Sequence, residues 1–306
     1  MSFFITLTSV AVMLFYAVPG YLFIKSKRVN PDAIPAFANV LMYLCSPCLA
    51  IYSFTHVEYT ASLLKDIIIL FFTSLILQIF ILVFFFLIFR KKTDDIKYRV
   101  CIIATTLGNC SFMGVPLLEA VMPDYREALI MSVVYFLGMN LLGWTVVSAI
   151  ITNDKKYISL KKAFLNPAFL SLIVALPLFF TNTRLPSEIN TMVTLLGKMS
   201  TPMCMLIMGM RLATVELKSL FTDRLQYAAV FVKQIIMPLL GLLLISLFPV
   251  STDMKRTMFI LCATPVASVV LNFAEMLGEG QKTAANLVLL GTLSSLITIP
   301  LMMLIY

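Results

Sequence analysis

Residues Gly108–Pro116 read GNCSFMGVP, which sets Asn109, Cys110 and Ser111 side by side between Gly108 and Gly114, with Pro116 closing the run. An amide, a thiol and a hydroxyl offer neutral hydrogen-bond partners. Acid–base or metal chemistry is not indicated, because His56 is the only histidine. A second interruption, TPVASVVLN, carries Thr264, Pro265, Val266 and Ser268. Proline removes a backbone donor and clashes with the preceding turn, and glycine admits close backbone approach. A helix opened at these points exposes N–H groups at its new N-terminus, where negative charge is favoured. The chemistry predicted for the two stretches is non-covalent binding of a small anion.

Two cations lie far inside apolar runs. Lys198 sits about 16 Å along its run by helical rise. The positions three and four residues away are Thr194, Leu195, Thr201 and Pro202, so no acid neutralises it within the helix. A deep unpaired ammonium marks a functional position by default, and Lys198 is expected to line the pathway and meet the carboxylate of a substrate. Lys233, about 13 Å beyond Arg224, is weighed mainly as a snorkelling side chain. Glu119 and Glu275 fall toward the ends of their runs and read as interfacial. The CSPC run at Cys45 and Cys48 lacks the βαβ setting of a redox motif. No cofactor and no metal ligand set is expected.

The elements that must hold these residues are apolar helices. The chain has 306 residues, 60% of them hydrophobic and 12% charged, about half the charge of a soluble domain. Apolar runs at roughly 3–24, 33–55, 65–89, 98–121, 127–152, 166–182, 188–212, 225–248, 254–276 and 283–305 have the length of a membrane span. The first run has no basic leader and no small-residue cleavage site, so it reads as a span and not as a signal peptide. Alternate loops hold 16 Lys and Arg on one side of the membrane against 5 on the other. By the positive-inside rule the basic loops are cytoplasmic and both termini outside. This bias also accounts for most of the formal +8 charge without nucleic acid as a partner.

Ten spans with a central basic linker divide into 1–153, 154–163 and 164–306. Five spans per half force the second half into the membrane upside down, an inverted repeat common among transporters. The expected fold is an all-α polytopic membrane protein of ten helices in two inverted five-helix repeats, with helices four and nine broken where they cross.

GNCSFMGVPLLEA resembles the G-N-x-G-F-x-G-x-P-L motif of the auxin efflux carrier family, which includes plant carriers and bacterial permeases. ATPVASVVLNFAEMLG resembles the family's ninth span, LNPAFLSLIVAL its opening of the second half, and MCMLIMGMRLA the end of its seventh span. The resemblance spans essentially the whole chain and implies the same ten-span inverted repeat. Ser111 stands where the family usually has glycine, and Val266 and Val269 where it has a proline and an asparagine. The long cytoplasmic loop of many plant members is absent.

Together these observations predict a plasma-membrane carrier that moves a small organic anion, a carboxylate, by alternating access. Sodium or protons are the candidate coupling ions, lipid the surrounding partner and a homodimer the candidate assembly. No G-x-x-x-x-G-K-[ST] motif supports ATPase activity, and the lack of a nucleophile–base pair disfavours an enzyme. The alternative reading is a transporter-like sensor or receptor that binds a small molecule or lipid without moving it.

Overall fold

The computed structural model describes residues 2–305. Among the described residues, seven helices are long and apolar enough to cross a membrane: α1 (Phe3–Lys25), α2 (Pro31–Thr55), α3 (Ala61–Lys92), α6 (Glu127–Thr152), α9 (Ser187–Thr214), α10 (Arg224–Ile245) and α13 (Gln281–Met302). Shorter helices lie between them: α4 (Ile96–Ala104) and α5 (Gly114–Val121), α7 (Leu160–Phe164) and α8 (Pro167–Phe180), then α11 (Thr252–Ala263) and α12 (Val269–Leu277). The stretches 98–121 and 254–276, expected as apolar runs of spanning length, therefore each divide into two short helices around a non-helical segment.

Several helix starts carry the side-chain caps that orphan N–H groups require. Thr60 Oγ1 accepts from Leu63 N at 3.1 Å, Asp95 Oδ1 from Lys97 N at 2.9 Å and Ser251 Oγ from Met254 N at 3.1 Å. The long helices are not uniform. Wider π turns occur at Leu41–Cys45 in α2, Gly143–Val147 in α6 and Val232–Ile236 in α10. Such turns mark functional positions more often than chance.

Packing sorts the helices into two groups. In the first, the second half of α1 lies along the second half of α9, and α8 and the first half of α9 lie along the end of α2. Small residues set these contacts, as is usual where lipid removes the hydrophobic drive between helices. A Cβ at Gly20 would overlap the Leu206 carbonyl, and one at Gly209 would overlap the Ala17 carbonyl. In the second group α3 packs on α6, α10 on α11 and α3, and α13 on α4 and α12. The first half of α1 reaches across to α5 and α13. Burial is greatest in α6 and α13, each with 67% of its spanning window buried, against 22% for α1. The most enclosed part of the fold thus surrounds the two interrupted stretches.

Candidate functional site

The interruptions meet. Residues between α4 and α5 run antiparallel to those between α11 and α12, forming an isolated bridge at Gly108 and Val266. Asn109 N donates to Pro265 O at 2.8 Å and Ala267 N donates to Leu107 O at 3.0 Å. Each segment so supplies partners for peptide groups that the other left open, which backbone buried in protein at membrane depth requires. Side chains complete the work. Ser132 Oγ donates to Cys110 O at 2.8 Å and Thr201 Oγ1 to Phe112 O at 2.7 Å. The N–H groups of Cys110, Ser111 and Phe112 have no backbone acceptor among the described residues. They sit just ahead of the positive end of α5.

The proline positions differ in role. Pro265 lies inside the break and supplies the carbonyl for Asn109. Pro116 falls in the first turn of α5, where a missing N–H leaves no helical bond unmade. It therefore fits the restart of the helix; the opening itself is at Thr105–Met113. Gly108 and Gly114 have ordinary negative φ, the glycines with positive φ being Gly278 and Gly280. What Gly108 provides is room. A Cβ there would lie 2.7 Å from Lys233 Cε and 2.8 Å from both Lys233 Nζ and Thr264 Oγ1. Thr264 itself is fully buried and donates to Leu261 O at 2.7 Å, closing the end of α11.

Lys233, weighed as a snorkelling side chain, instead points into the protein. It is 0% exposed, and its Nζ donates to Cys262 O at 2.5 Å. It stands on the π turn of α10 beside Gln234. Gln234 Nε2 donates to Gly291 O at 2.5 Å, and its Oε1 accepts from Ser294 and Thr298 at 2.8 and 2.9 Å. These bonds fix α10 to α13 and so fix where Lys233 enters the crossing. Its depth along α10 was legible; a snorkelling lysine and one pointing inward share the same depth, and the direction was not.

A cavity of ≈ 360 Å³ opens against the crossing. Gly108, Asn109, Cys110, Ser111 and Ser268 all line it, together with Asn140, Asn272 and Arg211. The Asn109 side chain is free of the bridge, which uses its backbone, and its Nδ2 makes only a 3.8 Å contact with Cys204 Sγ. The buried Ser111 Oγ has no hydrogen-bond partner among the described residues. Pro265 and Val266 belong to the bridge, and they, Gly114, Pro116 and Thr264 do not line this cavity. Nor does Lys198. It borders two clefts of ≈ 460 and ≈ 390 Å³ with Glu119 and Tyr52, the second also bordered by Pro116. Lys198 Nζ lies 3.9 Å from Glu119 Oε1 and 5.3 Å from the Tyr52 ring centroid, and its side chain is 55% exposed. Its acid partner, absent from its own helix, comes from α5.

Two charged residues missed as site members stand in or beside this cavity. Arg211 lines it, and donates through both Nη atoms to the Glu275 carboxylate, the second bond being 3.4 Å. The signal was present in the sequence, since Arg211 closes the seventh apolar run and Glu275 the ninth. Their meeting depends on the fold.

A model of the membrane transport protein family matches residues 5–303. No curated protein matches the chain. Seven helices of spanning length and apolarity, and a family match covering nearly every residue, lead to one assignment: the chain belongs to the membrane transport protein family, that of the auxin efflux carriers.

Proposed function

We propose that the chain is a plasma-membrane carrier for a small organic anion, a carboxylate, and that it works by alternating access. The observation that carries this reading is the crossing of two interrupted stretches beside a cavity lined by Asn109, Ser111 and Ser268. Helix N-termini directed at one site favour an anion, and discontinuous helices at mid-depth are the usual seat of substrate in secondary carriers.

In this reading α4 with α5, and α11 with α12, are each one interrupted span. With α8 and the seven long helices they make ten, arranged as two inverted repeats of five with both termini outside. The group containing α2, α8, α9 and the second half of α1 is the scaffold. The group around the crossing is the moving part. Its internal bonds, Asn109 to Pro265 and Lys233 to Cys262, let it move as one body.

Gly108, Asn109, Cys110, Ser111 and Ser268 are the proposed contact residues, with Gly114, Pro116, Thr264, Pro265 and Val266 shaping the crossing. The proposed partners are the anion and the surrounding lipid, with sodium or protons as the coupling ion and a homodimer as the assembly. Counterflow of labelled carboxylates in proteoliposomes made with the purified chain tests the reading. Saturable exchange is expected. Binding without exchange favours a sensor instead.

A further inference from the structure

We propose that Arg211 grips the carboxylate of the transported anion, and that Glu275 occupies that grip while the cavity is empty. The proposal rests on the carrier reading above and adds to it a cationic contact and a displacement step.

Arg211 borders two spaces: the ≈ 360 Å³ cavity at the crossing and a ≈ 390 Å³ cleft on its other side, which Glu275 also lines. The Arg211–Glu275 pair therefore stands between them. Arg211 lies on α9 in one packing group and Glu275 on α12 in the other, so the pair also ties the groups together. The Arg211 side chain is only 12% exposed, whereas that of Glu275 is 44% exposed. Arg211 Nε is buried and has no hydrogen-bond partner among the described residues. The guanidinium thus has a donor unused by the described residues, on a side chain that lines the anion cavity.

A guanidinium presents a planar fork that matches a carboxylate bidentately. An entering carboxylate can take the place of the Glu275 carboxylate on that fork without changing the charge around Arg211. Glu275, already near solvent, is released at small desolvation cost. The released contact is one of those joining the two groups, so binding loosens part of the contact between them.

The other interrupted stretch has a matching acid. Glu119 follows Gly108 by eleven residues, and Glu275 follows Thr264 by eleven. Glu119 also reaches the opposite packing group, accepting from Tyr52 OH at 3.0 Å and facing Lys198 at 3.9 Å. In that second contact it is the cation that is exposed, at 55%, whereas Arg211 is 12% exposed and holds its acid through both Nη atoms. Of the two cations, Arg211 is the one that lines the anion cavity.

The test uses the full chain in detergent, with thermal shift titrated by the sodium salts of acetate, malonate and succinate. Sodium chloride and sodium sulfate at equal ionic strength separate carboxylate recognition from general anion binding. Loss of a charged hydrogen bond predicts about ten- to 150-fold weaker carboxylate binding for Arg211→Gln, with part retained by Arg211→Lys. Glu275→Gln is expected to bind the same carboxylate more tightly than wild type, because the resident competitor is gone. That gain cannot come from misfolding. Wild-type carboxylate affinity in Arg211→Gln, weaker affinity in Glu275→Gln, or an equal response to sulfate overturns the proposal. If both variants still exchange labelled carboxylate like wild type, only the Arg211 role falls. If wild type neither binds nor exchanges any carboxylate, the carrier reading falls with it.

Discussion

Gly108 and Lys233 share one space at the crossing: a Cβ on Gly108 would come within 2.8 Å of the lysine nitrogen. The glycine is therefore fixed by a side chain from α10, and the two positions are expected to vary together. Gly108→Ala pushes Lys233 off the Cys262 carbonyl and strains a closely packed region, an overpacking cost of about 1–3 kcal/mol. The check is a melting curve of the purified variant beside Gly108→Ala combined with Lys233→Met. The methionine side chain is one atom shorter and lacks the ammonium, so the double variant is expected to recover part of the loss. Equal destabilisation in both would break the link between the two residues.

Lys233→Met separates stability from function. Burying an ammonium costs several kcal/mol, while leaving Cys262 O unpartnered costs about 1–3 kcal/mol. The first term is the larger, so the variant is expected to melt at or above the wild-type temperature. Transport is expected to fall at least about tenfold, as intramembrane charge is retained for function. A variant with a lower melting temperature and undiminished counterflow would make Lys233 a structural residue.

The bridge between the interrupted stretches is made by Asn109's backbone, which leaves its side chain to the cavity. Asn109→Ala should keep the wild-type melting temperature. Its carboxylate affinity should drop by about ten- to 150-fold, the size of one hydrogen bond to a charged group. Parallel losses of affinity and melting temperature would show instead that the amide supports the fold.

The interruptions, their neutral polar residues and the apolar helical class were legible because Gly, Pro and Asn are rare in such runs. Azimuth was not legible. Lys198 and Lys233 both lie deep in their helices, yet one faces an open cleft beside Glu119 and the other the sealed crossing. Glu275 read as interfacial because its partner, Arg211, is sixty-four residues away in sequence. Gly108 read as a point of close approach, but that the approaching group is the Lys233 side chain was not legible. Each of these depends on which helix stands opposite, and no periodicity in one run reports that.

Close backbone contact between α1 and α9 makes a separate prediction. Gly209→Val places branched carbon against the Ala17 carbonyl. Neither backbone can move without parting the helices, so the loss is expected to reach or exceed the usual overpacking range of about 1–3 kcal/mol. Size-exclusion profiles and melting temperature in detergent read it. A Gly209→Val protein as monodisperse and stable as wild type would mean that this contact opens freely.

Orientation is checked by labelling. In a background without native cysteines, Ser62→Cys and Lys161→Cys place thiols at exposed positions. With basic loops cytoplasmic, an impermeant maleimide added to intact cells should label Ser62→Cys and spare Lys161→Cys. The reverse pattern would invert the chain in the membrane.

The central claim is that an anion is carried through the crossing and not merely bound there. The direct measurement is counterflow in proteoliposomes of the purified chain, loaded with unlabelled carboxylate and exposed to trace labelled carboxylate, with Asn109→Ala measured alongside. The account predicts transient, saturable uptake above that of empty liposomes, and its marked reduction in Asn109→Ala. Carboxylate binding by thermal shift with uptake no greater than in empty liposomes would contradict it.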